Sequence, residues 1–209
     1  MKNSVSFLFY SLAVLLPFAI TGIYYEFEHN AATLPVLGQA KTGEHHLPEF
    51  RFLDQDSTVF SNRYAKDKIS VYYFFFARCG TICPKMTANM HSLQQEFKQD
   101  TDLKITGFTV NPEHEGPAVL KQYAESNNIR KPQWELLTGS KKDIYTLAKN
   151  GFYVNTAQVG ETYSSPDFLH SNLFILVDKE QRIRGYYEGT DTKDVAQLIQ
   201  DIHTLQKSN

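Results

Sequence analysis

The chain is poor in cysteine: its 209 residues hold two, Cys79 and Cys83. As metal ligands, two thiolates leave a structural zinc site short of the four it takes. Charge imbalance is also lacking. The 21 Lys and Arg stand against 23 Asp and Glu, for a formal net charge of −2. Nothing in that balance calls for a nucleic-acid partner. No internal repeat or low-complexity tract is visible. The composition, 42% hydrophobic and 21% charged, is that of an ordinary globular domain. The length allows one such domain and something extra.

The extra part lies where charge is absent altogether. Between Lys2 and Glu26 runs "NSVSFLFYSLAVLLPFAITGIYY". A helix of about twenty residues, rising ~1.5 Å each, crosses a ~30 Å hydrocarbon core. Pro17 is tolerated in such a helix, and Tyr24 and Tyr25 suit the membrane interface. Lys2 before the stretch, with Glu26 and Glu28 after it, favours the N-terminus inside. The stretch is longer than the core of a usual signal peptide, and no strong small-x-small site follows it, which favours an uncleaved anchor. The lack of a cysteine near its end excludes a lipoprotein anchor. The expected organisation is a transmembrane anchor over residues 1–25, a polar tether over 26–47 and an exported domain over 48–209. For a bacterium this means single-pass insertion in the inner membrane, with the domain in the oxidising periplasm.

Within the domain, "EFRFLDQDSTVFS" alternates apolar and polar residues around Asp54-Gln55-Asp56, as a hairpin does. "ISVYYFFF", Ile69 to Phe76, is apolar and rich in β-formers, the pattern of a strand buried on both faces. After it, Pro84 suits a first helical turn. Met86, Met90, Leu93 and Phe97 then fall on one helical face. Further strands are expected at Leu103–Val110, at "WELL" and in "NLFILVDKEQRIRGYYEG", whose two strands flank the polar turn Asp178 to Gln181. Further helices are expected from Pro117 to about Asn127, from Ser140 to a C′ residue at Gly151, and from about Thr192 to Gln206. Alternating strands and helices that close with a hairpin and a helix predict an α/β or α+β sandwich. Phe152 to Ser171 shows no sustained period, and a connection this long in a compact domain is functional or disordered. It ends at His170.

The cysteines stand at the strand-to-helix junction, in "VYYFFFARCGTICPKMTANM". Three roles suit them. A structural disulfide would close so short a loop that it stabilises little. Redox chemistry is favoured by a helix N-terminus, which stabilises thiolate, although the familiar oxidoreductase spacing is C-x-x-C. Metal binding is the third role. Thiolates at i and i+4 can point the same way, and soft Cu(I) accepts two sulfurs with one imidazole. Of the seven histidines, His29, His45 and His46 fall in the tether. His91 and His203 read as solvated helix residues. His114, in "NPEHEG", and His170, where the long loop re-enters a buried strand, are the two candidates for a third ligand, with His170 ahead. Asp167, three residues before His170, reads equally as a partner of the imidazole and as a solvated loop acid.

At these residues the chain resembles the Sco/SenC family of membrane-anchored copper chaperones. The resemblance is carried by "CGTICPKM", "FTVNPEHEGPAVLKQYA", "WELLTG" and "HSNLFILVDKEQRIRGYYEGT", in that order and spacing from about Pro48 to the C-terminus. It implies a thioredoxin-like fold and a copper site made of Cys79, Cys83 and His170, for Cu(I), with Cu(II) left open. The partners it implies are the copper A site of cytochrome c oxidase subunit II, or a similar copper-accepting protein, and a thiol reductant. The chain would deliver copper there or reduce the site's thiols, as a metallochaperone rather than an enzyme. The competing functions are an exported thiol–disulfide oxidoreductase and a redox or copper sensor using the same pair. The chain departs from the family pattern at Gly80, where Pro is usual, at Asn111-Pro112 in place of Asp-Pro, and at Glu115-Gly116-Pro117 in place of acid-Thr-Pro. Arg78, just before Cys79, is also unusual and would favour thiolate.

Overall fold

Strand β5, Ile69–Phe75, is buried along its whole length and lies in the interior of the sheet. It is flanked in parallel by β6, Leu103–Thr109, and antiparallel by β8, Leu173–Val177. Beyond β6 lies β7, Trp134–Thr138, also parallel, and beyond β8 lies β9, Ile183–Glu188, antiparallel. The hairpin of β3, Arg51–Asp54, and β4, Val59–Ser61, extends the other edge, giving the order β4-β3-β7-β6-β5-β8-β9. A separate two-stranded ribbon joins β1, Gln39–Ala40, to β2, Gly43–Glu44. These coordinates are a computed structural model, which describes residues 34–40, 43–154 and 171–208.

Side chains of β5 alternate between two cores, as the period of two requires. Ile69, Val71, Tyr73 and Phe75 enter the first core. There they meet α1, Ile82–Glu96, α2, Pro117–Ser126, and α4, Thr192–Lys207. Met86, Met90, Leu93 and Phe97 all lie in this core, as their spacing predicts. Tyr72 and Phe74 enter the second core, an aromatic cluster with Phe50, Phe52, Phe60, Phe108 and Phe152. Ring centroids there approach to 4.9 Å for Tyr72 and Phe152 and to 5.3 Å for Phe74 and Phe108. A mixed sheet with helices on both sides is the α/β arrangement expected of a thioredoxin-like chain.

Two expectations need correction. The polar segment read as a tether is, from Leu34 onward, part of the compact unit Leu34–Lys207. Leu37 bridges to Ile183, Leu47 donates its N–H to Gln181 O, and Arg184 binds Pro35 O at 3.2 Å. The third helix also ends differently. Helix α3, Lys141–Thr146, begins at Ser140 as predicted, and the Ser140 side chain accepts from Asp143 N–H. It then widens into a π turn, Leu147–Gly151. Gly151 belongs to that turn, and the left-handed residue is Tyr153, at φ 52°. Glycine suits position 151 for space: a Cβ there would lie 2.7 Å from Leu147 and 3.2 Å from Pro48.

Among the described residues no helix is long and apolar enough to cross a membrane. The segment expected to do so, residues 1–25, lies outside them, as does His29.

Candidate metal centre

The chain leaves β5 at Phe75 and turns sharply, with Cys79 N–H closing on Phe76 O at 3.0 Å. Helix α1 starts three residues later. The first N–H groups of a helix have no partner inside it. A Ser, Thr, Asp or Asn side chain at the N-cap commonly takes one of them. Thr81 stands at the N-cap here but makes no such bond. Its hydroxyl lies 3.7 Å from Cys79 Sγ instead. The backbone N–H groups of Thr81 and Cys83 are hydrogen-bonded to Cys79. The sulfur of Cys79 therefore takes the place of the missing cap.

The two thiols consequently differ. Partial burial raises the Cys79 thiol, but the hydrogen bonds from Cys83 and Thr81, backbone and side chain, outweigh it and bring it down to about 7. Cys83 is buried on the inner side of α1. Burial pushes its thiol up to about 12, against a backbone hydrogen bond from Phe76, and with Cys79 and the carboxylate of Glu115 adding to the rise. Both cysteines are free thiols.

Glu115 is completely buried. One oxygen accepts from Ala77 N–H at 3.0 Å, two residues before Cys79, and the other accepts from the hydroxyl of Thr109. It thus ties the root of the cysteine turn to the end of β6. Sequence reasoning noticed this position only as a departure from a pattern. A lone acid in a polar loop gives no local sign of burial.

Among the described residues, no group of three His, Cys, Asp or Glu comes together that could hold a metal ion. His114 is exposed and its Nδ1 lies 3.1 Å from Asn111 Oδ1. The other described histidines also have partners. His45 donates from Nε2 to Gly151 O at 2.7 Å, and its Nδ1 accepts from Tyr153 OH at 2.8 Å. His46 meets Glu180 O at 2.7 Å. His91 is not simply solvated: it donates to Asn127 O at 2.6 Å and lies against Trp134. His203 lies against Phe97 and 3.3 Å from Glu96. His170 and Asp167 fall outside the described residues. Ser171, next to His170 in the chain, is buried. It leads into β8, which runs antiparallel to β5 and so begins at the sheet end where the cysteine turn emerges.

The SCO1/SenC family profile matches residues 38–207. The chain belongs to the SCO1/SenC family. That match begins ahead of Pro48, in keeping with the packed segment that precedes β3. Among curated relatives, the SCO1 protein homolog of Bacillus subtilis is 30% identical over 160 residues, 76% of this chain and 81% of that one. Among solved structures, BsSco is a member of the Sco family of cytochrome c oxidase assembly proteins, described as having a disulfide switch. It superposes with a TM-score of 0.68 at 26% identity, over 85% of this chain and 99% of that one. Yeast Sco1 with copper bound has the same fold, with a TM-score of 0.59 at 22% identity over 77% of this chain and 90% of that one.

Proposed function

We propose that this SCO1/SenC protein is a copper metallochaperone. Cys79 and Cys83 supply two thiolates and His170 a neutral imidazole nitrogen to Cu(I), which the protein carries as cargo. The observation that carries the reading is the pair of free thiols one helical turn apart at the start of α1, with the outer one lowered to about 7. Thiolates favour Cu(I) among biological metals and tolerate its low coordination number. His114 is the weaker candidate for third ligand, being exposed and engaged with Asn111. The acceptor that fits the family resemblance is the copper A site of cytochrome c oxidase subunit II. Residues 1–25 would anchor the domain on the outer face of a bacterial inner membrane.

The test is a Cu(I) competition titration of the reduced protein beside His170→Ala. Weaker binding in the variant is expected. Equal binding would overturn the three-ligand site.

The contrast between the two thiols favours a second reading, thiol–disulfide exchange. Cys79 thiolate would attack a substrate disulfide and release one substrate thiolate. Cys83, once deprotonated, would attack Cys79 sulfur, form the Cys79–Cys83 disulfide and release the second. The pair loses two electrons and two protons, and the substrate gains them. A thiol reductant then restores the pair. Copper carriage and this reaction exclude each other at any instant, because they use the same sulfurs. Turnover of a protein disulfide that survives His170→Ala would favour the second reading.

A further inference from the structure

Glu115 is a completely buried acid that neither copper carriage nor thiol exchange uses. Burying a carboxylate is costly unless hydrogen bonds stand in for water. Its own side of the bargain is held by the end of β6. Thr109, the last residue of that strand, donates its hydroxyl to Glu115 and accepts from Asn111 N–H at 3.1 Å. Glu115 N–H closes on Asn111 O at 3.0 Å.

The carboxylate is aimed at the peptide unit between Phe76 and Ala77. The N–H of that unit donates to Glu115 Oε1 at 3.0 Å, and its carbonyl accepts from Cys79 N–H at 3.0 Å. The backbone of Phe76 also hydrogen-bonds Cys83. One residue therefore touches both cysteines, and the peptide that follows it is fixed by Glu115. Beyond Cys79 the turn is not clamped from outside. Gly80 is exposed, and a Cβ there would meet nothing within 4 Å. The hold on the pair thus comes from the root of the turn. Two groups that must meet react more favourably when their supports are fixed beforehand.

We infer that Glu115 is a positioning residue for the cysteine pair. By holding the Phe76–Ala77 peptide it keeps Cys79 and Cys83 in the register from which their sulfurs join, and so favours the disulfide over the dithiol. The inference rests on the two sulfurs joining, as the second reading requires, and involves no third ligand.

The test is the thiol–disulfide equilibrium of the full-length protein in detergent, poised in dithiothreitol buffers at pH 7 and read by mass after alkylation. The pair gives two electrons and two protons to oxidised dithiothreitol as its disulfide forms. Glu115→Ala leaves the peptide unheld. It is expected to shift the equilibrium about tenfold toward the dithiol, a potential about 30 mV higher. A weaker hold on the Cys79 thiolate acts the other way, but a thiol at about 7 favours the dithiol only about twofold at pH 7. Destabilisation shared by both redox states cancels, so a purely structural role would not move the equilibrium. Glu115→Gln keeps an acceptor for Ala77 N–H and should stay close to the parent. A shift in Glu115→Gln equal to that in Glu115→Ala would assign the effect to charge and overturn the inference. Thr109→Val frees one carboxylate oxygen with little change in shape, and should shift the balance about threefold in the same direction. It decides the matter if Glu115→Ala does not fold. No shift in the deciding variant, or a shift toward the disulfide, overturns the inference. If the parent forms no Cys79–Cys83 disulfide in any buffer, the exchange reading has failed and this inference with it. A parent disulfide that the deciding variant leaves unmoved sinks the inference alone.

Discussion

Cys79 sits in a turn where its sulfur gathers hydrogen bonds from the start of α1, while Cys83, one helical turn later, is buried in the first core. The same thiol is thus lowered to about 7 at one position and raised to about 12 at the other. Local hydrogen bonding decides the first case and desolvation the second. The difference teaches that the pair is not a symmetric clamp. One sulfur is ready as thiolate at neutral pH, and the other gives up its proton only when a metal or a disulfide bond replaces it.

The largest expected effect is therefore chemical selectivity. Thiolate is the form that alkylates. Cys79 should react with iodoacetamide at a rate that climbs as pH rises toward about 7 and levels off above it. Cys83 should stay unlabelled in the folded protein over the same range, its thiol being raised to about 12. Mass spectrometry of the digested protein reads both sites at once. Equal labelling of the two cysteines at pH 7 would erase the contrast.

Burial of Cys83 depends on the helix face beneath it. Met86 is on that face and is 1% exposed. Met86→Ala should destabilise the domain by about 2–5 kcal/mol, the range for truncating a buried methionine. It should also open Cys83 to iodoacetamide. Denaturant unfolding beside labelling checks this, and a stability loss with Cys83 still protected would separate the core from the thiol.

Glu115 bears on both cysteines, through Ala77 N–H on one side and its charge toward Cys83 on the other. Glu115→Gln keeps an acceptor for Ala77 but obliges the Thr109 hydroxyl to turn. A loss of about 1–2 kcal/mol is expected, since bonds to a charged group are replaced by neutral ones. The Cys83 thiol should titrate lower once the facing negative charge is gone. Thiolate absorbance in the ultraviolet, in a Cys79→Ser background, reads that change.

How much of this was legible in the sequence depended on whether local pattern carried it. The run "ISVYYFFF" and the Met86-Met90-Leu93-Phe97 spacing placed the cysteines at a strand-to-helix junction, and they are there. Period and run length suffice for such features. Burial of Glu115 was not legible, because it follows from two partners on other segments. Nor was the role of His45, whose partners Gly151 and Tyr153 stand 106 and 108 positions away. The segment before Leu47 read as a tether because its polar residues serve hydrogen bonds to β9 and the turn before it, and composition cannot tell that from solvation. Gly151 misled for a related reason: a terminal glycine signals a helix cap, yet here the helix widens and glycine answers to the packing of Leu147 and Pro48.

The smallest effect sharpens the comparison most finely. Thr81 contributes to Cys79 through its backbone N–H and through its hydroxyl, 3.7 Å from the sulfur. Thr81→Val removes the hydroxyl with little change in shape and leaves the N–H in place. An ordinary neutral hydrogen bond contributes about 0.5–1.5 kcal/mol, and a long one to sulfur falls at the low end. Since about 1.4 kcal/mol corresponds to one pKa unit, the midpoint of Cys79 labelling should rise by about half a pH unit or less. The sign is upward, because the lost bond favoured the thiolate. Cys83 should stay protected, its burial being untouched. A rise of the Cys79 midpoint to the ordinary thiol range would mean that the hydroxyl, not the helix N–H groups, holds the thiolate. The account of the sulfur as a helix cap would then fail.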